Sequence, residues 1–383
     1  MQSRRALRPL AMNGRIARMT GMSAAPTTPD VLILGAGVSG LATAWALAAH
    51  GCDVCVLDRG PVARESTWAG AGVLSLLLPW HYPEAVHALA ERGRRLWPEW
   101  IARLHDLTGL DAEYLVSGML VADAGDLAVA QSWGERHGLR VEAPPPAVVN
   151  ACVLPAGGIW LPEVAQVRNP RLARQLESAV RALGVHVLPH TPVTRLEMHE
   201  GRLTGVQTAG GRIACGQAVI CAGAWSQGLL DGLALGVDIR PVRGQILLLA
   251  GRPGLLPCIV YRGGRYLVPR ADGRVLVGST LEEAGFDKST TADAGEALLA
   301  FALETCPGLR QAAVERQWAG LRPGSPGNLP TVARHPGVEN LYLNAGHFRY
   351  GLTMAPAAAE LIAALILGDE PALDPAPYAW PGG

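Results

Sequence analysis

The sequence has no excess of charge of one sign: 33 Lys and Arg stand against 33 Asp and Glu in 383 residues. Zero net charge supplies no global field toward nucleic acid or an anionic membrane, so a small molecule is the expected partner. It also has no run of 18 apolar residues; the longest candidate, Met354 to Leu367, suits a buried helix and not a membrane span. A disulfide framework is missing too. The seven cysteines, at 52, 55, 152, 215, 221, 258 and 306, are odd in number and scattered through apolar segments, which suits a reducing compartment and a cytoplasmic location. Cys52 and Cys55 have CxxC spacing, but Cys55 lies inside the apolar run Val54-Cys55-Val56-Leu57, where thiol exchange is sterically awkward and core packing is expected. No repeat, Ser/His/Asp arrangement or paired-carboxylate site appears. His186 and His190 are four apart, but Pro189 and the β character of the stretch put them on no common helix face, so no metal site is expected.

What is present begins after residue 29. Residues 1–29 carry five arginines and no acidic residue, which reads as an unordered extension outside the fold. Asp30 to Leu34 is a short apolar run, Leu41 to Ala49 an Ala-rich helical stretch, and Val54 to Leu57 a second buried strand. Helical patterns follow at Leu89 to Leu107, Arg171 to Leu183 and Ala292 to Cys306. Strand patterns are found at 185–188, 193–197, 203–208, 218–221, 245–249, 266–269, 275–278 and 341–344.

Between the first strand and helix stands Gly35-Ala36-Gly37-Val38-Ser39-Gly40. The three glycines Gly35, Gly37 and Gly40 allow, in order, a tight turn, backbone approach to a pyrophosphate and close helix-on-strand packing. Unpaired N–H groups and the helix dipole at that end favour an anion. Asp58 follows Gly40 by 18 residues, at the end of the next strand, where a carboxylate accepts bonds from ribose hydroxyls. These features point to a dinucleotide and do not choose between FAD and NAD. No second such turn exists, so the one site must hold the redox cofactor.

Two further stretches favour FAD: Glu65-Ser66-Thr67-Trp68-Ala69-Gly70-Ala71-Gly72-Val73-Leu74-Ser75, and Asn344-Ala345-Gly346-His347-Phe348-Arg349-Tyr350-Gly351-Leu352-Thr353. With Tyr266-Leu267-Val268-Pro269-Arg270, Val277-Gly278-Ser279-Thr280 and Trp318-Ala319-Gly320-Leu321-Arg322-Pro323-Gly324, they resemble the flavin-dependent glycine oxidases of thiamine biosynthesis, within the D-amino-acid oxidase family. The resemblance implies an α/β fold in which a Rossmann-like FAD-binding domain is interleaved with a mixed-sheet α+β substrate domain. The first is expected from 30–80, 150–238 and 316–370, the second from 81–149 and 239–315, with 371–383 as a C-terminal tail.

On matching positions the resemblance places Val38 and Ser39 against FAD, Asp58 and Arg59 at the adenosine ribose, Ser66 and Thr67 at the pyrophosphate, and Val193 beside the adenine. Ala71, Gly72 and Val73 match the loop beside the isoalloxazine. His347, Phe348, Arg349, Tyr350, Gly351, Leu352 and Thr353 match the loop around the flavin's pyrimidine end. Arg322 matches the substrate-carboxylate arginine, Tyr266 the active-site tyrosine and Arg349 a second substrate-side arginine. Arginine suits that task because its planar fork meets two carboxylate oxygens at once. Three departures concern Asp58, where the family more often has Glu, the Arg262-Gly263-Gly264-Arg265 stretch, and Tyr350, which replaces smaller residues.

The implied reaction is oxidative deamination of glycine, or of related small amines or D-amino acids, through an imine to a 2-oxo acid and ammonia. Molecular oxygen accepts the electrons and leaves as hydrogen peroxide, and a homo-oligomer is implied. Cys306, the last cysteine, lies well before the 344–353 loop, so FAD is expected to be held non-covalently. Another D-amino-acid or sarcosine oxidase or dehydrogenase of the same fold, or an RNA-modifying flavoenzyme, stays open as an alternative.

Overall fold

The computed structural model describes residues 28–122, 127–153 and 158–382; the expected N-terminal extension, save its last two positions, lies outside them. Two large sheets organise the chain. The first is six-stranded, and at its centre β1 (Val31–Leu34) pairs in parallel with β2 (Val54–Leu57) through the helix α1 (Val38–Ala49). On the other side of β1 runs Gln217–Ile220, followed by Leu341–Ala345 and the antiparallel edge strand Thr331–Arg334, while His186–Leu188 flanks β2. β1 and β2 read Val-Leu-Ile-Leu and Val-Cys-Val-Leu because a parallel sheet is covered on both faces. Alternation divides them accordingly. Val31 and Ile33 join the core beneath the helices α1, Glu84–Thr108, Asn169–Ala182 and Gly351–Leu367, whereas Leu32 and Leu34 pack with Leu203 and Val206 of a three-stranded antiparallel sheet.

The second sheet has seven strands, in the order 313–324, 240–250, 274–278, 265–269, 259–262, 119–121 and 159–161. It is mixed: 259–262 and 119–121 run parallel, while the other pairs are antiparallel. One face carries Leu247, Leu249, Val275 and Val277 against Leu298 and Phe301 of the helix Ala292–Thr305. The opposite face, with Ile246, Tyr266 and Val268, turns toward the first unit, and the space between becomes the site.

Several details differ from the sequence expectations. The helix expected from Leu89 starts at Glu84 and ends at Gly109, whose φ of 66° is the left-handed stop that glycine adopts readily. The strand at 240–250 is far longer than its alternation suggests, and residues 313–324 form a strand where the sequence pattern shows none: Arg322, whose Pro/Gly-rich surroundings suggest a loop, lies in it, because glycines at 244, 320 and 324 interrupt the apolar pattern. Strand 159–161, expected among the FAD-binding segments, runs in the second sheet, as do residues 316–324. The C-terminal segment is anchored: the Tyr378 hydroxyl donates to Ala85 O at 2.7 Å, and Trp380 Nε1 to Leu235 O at 2.6 Å. No described helix is long and apolar enough to cross a membrane.

Candidate functional site

At the end of β1 the chain turns on Gly35, whose φ of +117° disfavours any side chain. A Cβ there would lie 2.4 Å from Cys221 O, and one on Gly40 only 1.8 Å from Gly35 O. Gly37 differs: a Cβ would meet nothing closer than Thr67 Oγ1 at 3.3 Å, so the open side of the turn belongs to a cavity. Gly37 caps α1 with no side-chain acceptor, and first-turn amides have no intrahelical partner. Val38 N–H donates to Thr67 Oγ1 at 2.9 Å. Asp58 accepts from Ala36 N–H and Gly60 N–H, both at 2.8 Å, one on each carboxylate oxygen. Burial pushes its carboxyl above the usual range, and those two backbone bonds pull the other way. A carboxylate has about four lone-pair sites, so this brace leaves capacity for a ribose.

Beyond Asp58, the Arg59 guanidinium lies 3.6 Å over the Trp225 ring, and Trp225 stacks on Phe286. Trp225 lines the cavity; it sits in a short turn without apolar periodicity and carries no sequence signal of its own.

The loop from Thr67 to Val73 is held by its carbonyls. Asn169 Nδ2 donates to Thr67 O at 2.6 Å, Trp318 Nε1 to Ala69 O at 3.0 Å and Arg270 to Ala71 O at 2.8 Å. Val167 N–H donates to Gly72 O at 2.9 Å, and the Thr353 hydroxyl to Val73 O at 3.3 Å. None of these donors is near the loop in sequence.

At the other end Arg322 rises from strand 313–324. Its Nη2 donates to Ser279 Oγ at 2.7 Å and its Nη1 approaches Thr280 O at 3.4 Å. Among the described residues neither Arg322 nor Arg349 forms an ion pair, and both line the cavity. Burial lowers the Arg322 pKa from the usual guanidinium range, the facing Tyr266 opposes that, and Arg349 adds to it. Space for these groups comes from two glycines: Gly244, which no sequence motif marks, and Gly278, which stands in the Val277–Thr280 motif with no role assigned by it. A Cβ on Gly244 would lie 2.2 Å from both Arg322 terminal nitrogens, and one on Gly278 would lie 2.5 Å from the Tyr266 ring.

The loop after Asn344 turns through left-handed residues Gly346 and Phe348. His347 is fully buried, its Nε2 has no partner among the described residues, and burial holds its pKa down at about 4. Tyr350 shares a hydroxyl–hydroxyl bond with Tyr82, and their rings meet edge to face at 5.1 Å. Burial raises the Tyr350 pKa well above the ordinary phenol value.

One cavity of about 450 Å³ collects the residues expected at the site, with two exceptions. Gly40 lies beneath the turn, packed on Gly35, and Thr353 faces Val73 O and a smaller neighbouring cavity. Cys221 also lines the wall, unforeseen in the sequence, and burial pushes its thiol up to about 12, so it stays protonated. The cavity suits FAD. It has a helix N-terminus and an open glycine at one end, a braced carboxylate beside them, and along its length the buried Asn169 Oδ1, Asn344 Oδ1 and His347 Nε2, which have no partner among the described residues.

Comparison with known proteins agrees with this geometry. A family model described as FAD dependent oxidoreductase matches residues 30–365. The chain is 45% identical to a glycine oxidase of Pseudomonas putida over 356 residues, covering 91% of this chain and 98% of that protein. It is 34% identical to the bifunctional protein ThiO/ThiG of Trichormus variabilis, covering 89% of this chain and 53% of that protein. Among solved structures, glycine oxidase from Geobacillus kaustophilus superposes with a TM-score of 0.86 at 28% identity, covering 93% and 99% of the two chains.

Proposed function

Because this chain belongs to the FAD dependent oxidoreductase family, we propose that it is a glycine oxidase, converting glycine, water and oxygen to glyoxylate, ammonia and hydrogen peroxide. One observation carries the choice of substrate: Arg322 and Arg349, which among the described residues have no carboxylate partner, share the cavity whose far end is the N-terminus of α1. The α1 end suits the cofactor's phosphates, and the arginine end suits an amino-acid carboxylate.

FAD, when bound, supplies the two-electron acceptor and passes the electrons to oxygen. The protein's own residues position and exclude. Val38, Ser39 and Thr67 would hold the pyrophosphate, Asp58 the ribose, and Trp225 with Arg59 and Val193 would close over the adenosine. Arg322, fixed by Ser279 and Thr280, forks onto the substrate carboxylate, with Tyr266 beside it. The amine is thereby placed by its neighbour and not by a base. His347 stays neutral at physiological pH and is no proton shuttle. Rate enhancement then comes from placing the substrate, as expected where a cofactor performs the difficult step. The protonated Cys221 thiol supports non-covalent binding of FAD.

The similarity to ThiO/ThiG supports a role for the reaction in thiamine biosynthesis. The test is to purify the protein with its flavin and measure peroxide release with glycine, sarcosine and D-alanine. Glycine-dependent peroxide with bleaching of the flavin under anaerobic conditions is expected; a flavin that no small amine bleaches would refute the proposal.

A further inference from the structure

Arg270 is a buried cation that the proposed chemistry leaves unused. It follows strand Arg265–Pro269, is 8% exposed, and among the described residues forms no ion pair. Its guanidinium instead donates to three neutral oxygens: Gln166 Oε1 and Val167 O at 2.9 Å, and Ala71 O at 2.8 Å. The acidic neighbours Glu113 and Asp272 are both bound to Arg168. Burial lowers the Arg270 pKa to about 10, which leaves it charged at neutral pH. A buried charge without a counter-ion is costly, so its field falls on whatever its hydrogen bonds touch.

The most consequential of those contacts is Ala71 O. In a trans peptide the carbonyl and the following N–H point in opposite directions, so the Gly72 amide is directed away from Arg270. Ala71 and Gly72 both line the cavity, and among the described residues the Gly72 amide donates to no acceptor. Gly72 cannot drift. Its φ is +78°, a Cβ would lie 1.9 Å from Val167 O, and its own carbonyl is held by Val167 N–H. A charged donor on the carbonyl polarises the whole peptide and strengthens its N–H as a donor.

We propose that Arg270 is a positioning residue that makes the flavin a stronger electron acceptor by polarising and fixing the Ala71–Gly72 peptide. This rests on the reading that FAD fills the cavity and oxidises glycine there. Two variants of the holoenzyme separate charge from scaffolding. Arg270→Gln removes the cation. Gln166→Glu puts a carboxylate where an oxygen now lies 2.9 Å from the Arg270 guanidinium, neutralising the cation without deleting it.

In both, the flavin midpoint potential should move negative. The dissociation constant for sulfite, which adds reversibly to electron-poor flavins, should rise roughly ten-fold or more, the scale of one charged hydrogen bond. Arg270→Lys, which keeps the charge, should restore most of both values. A merely structural role would lower thermal stability and FAD affinity and leave potential and sulfite affinity alone. Folded, FAD-loaded Gln166→Glu with wild-type potential and sulfite affinity overturns the proposal, even if Arg270→Gln does not fold. A wild-type flavin that glycine fails to bleach anaerobically overturns the parent reading instead, and this one with it.

Discussion

Arg322 can lie across its sheet because strand 240–250 offers it a glycine, and among the described residues no acidic group pairs with it. A guanidinium arranged in this way has its binding energy available for a carboxylate ligand. Arg322→Ala should therefore cut kcat/KM for glycine roughly a hundred-fold or more, the loss of charged hydrogen bonds of about 1.5–3 kcal/mol each. FAD content should be unchanged. Steady-state kinetics on the flavin-loaded variant check this, and an unaltered KM and kcat would remove the carboxylate role. His347 carries a second residue-level prediction. Its folded-state pKa, about 4, lies below the ordinary 6.5, so the unfolded chain binds more protons between those values. The stabilisation is complete above pH 6.5 and is lost progressively as pH falls toward 4, on the order of 3 kcal/mol in all. Denaturant melts at pH 7.5 and 5 should show that decline, and His347→Gln should flatten it.

Among the elements, the paired strands 240–250 and 313–324 matter most, since they put Gly244 opposite Gly320 and bring Arg322 to the cavity. Gly244→Ala would set a methyl group 2.2 Å from both terminal nitrogens of Arg322. The guanidinium must then shift, and glycine KM should rise about ten-fold or more with little change in FAD affinity, since positioning errors of an ångström are severe. Equal losses of FAD and glycine binding would show instead that the strand itself had been disrupted. α1 and its turn were legible in the sequence because all their determinants fall within one strand–turn–helix unit. The roles of Gly244 and Gly278 were not. Each is a lone glycine in a strand, and what it makes room for lies across the sheet: Arg322 is 78 residues away and Tyr266 is on the neighbouring strand.

Across the whole molecule, the cavity is walled by residues from Leu34 to Leu352, drawn from both sheets and from the helical layer. A ligand in such a place binds the folded chain alone, and at a hundred-fold excess over its Kd it adds about 2.7 kcal/mol of stability. Removing FAD should lower the melting temperature by several degrees, and adding it back should restore the loss; coincident melts of apo- and holoprotein would contradict that.

The sequence by itself determined the dinucleotide turn, the carboxylate at Asp58 and, through five ordered motifs, the flavin family, and it nominated Arg322 for the substrate carboxylate. These are local patterns whose physical meaning is fixed by neighbours a few residues away. Only the tertiary structure decided that Asp58 also braces the turn, that Trp225 stacks on Arg59, that Cys221 faces the cavity, and that Asn169, Trp318, Arg270 and Thr353 hold the Thr67–Val73 carbonyls. Those partners lie 100 to 280 residues from the loop, and a hydrogen bond across such a distance leaves no periodicity in the chain to read.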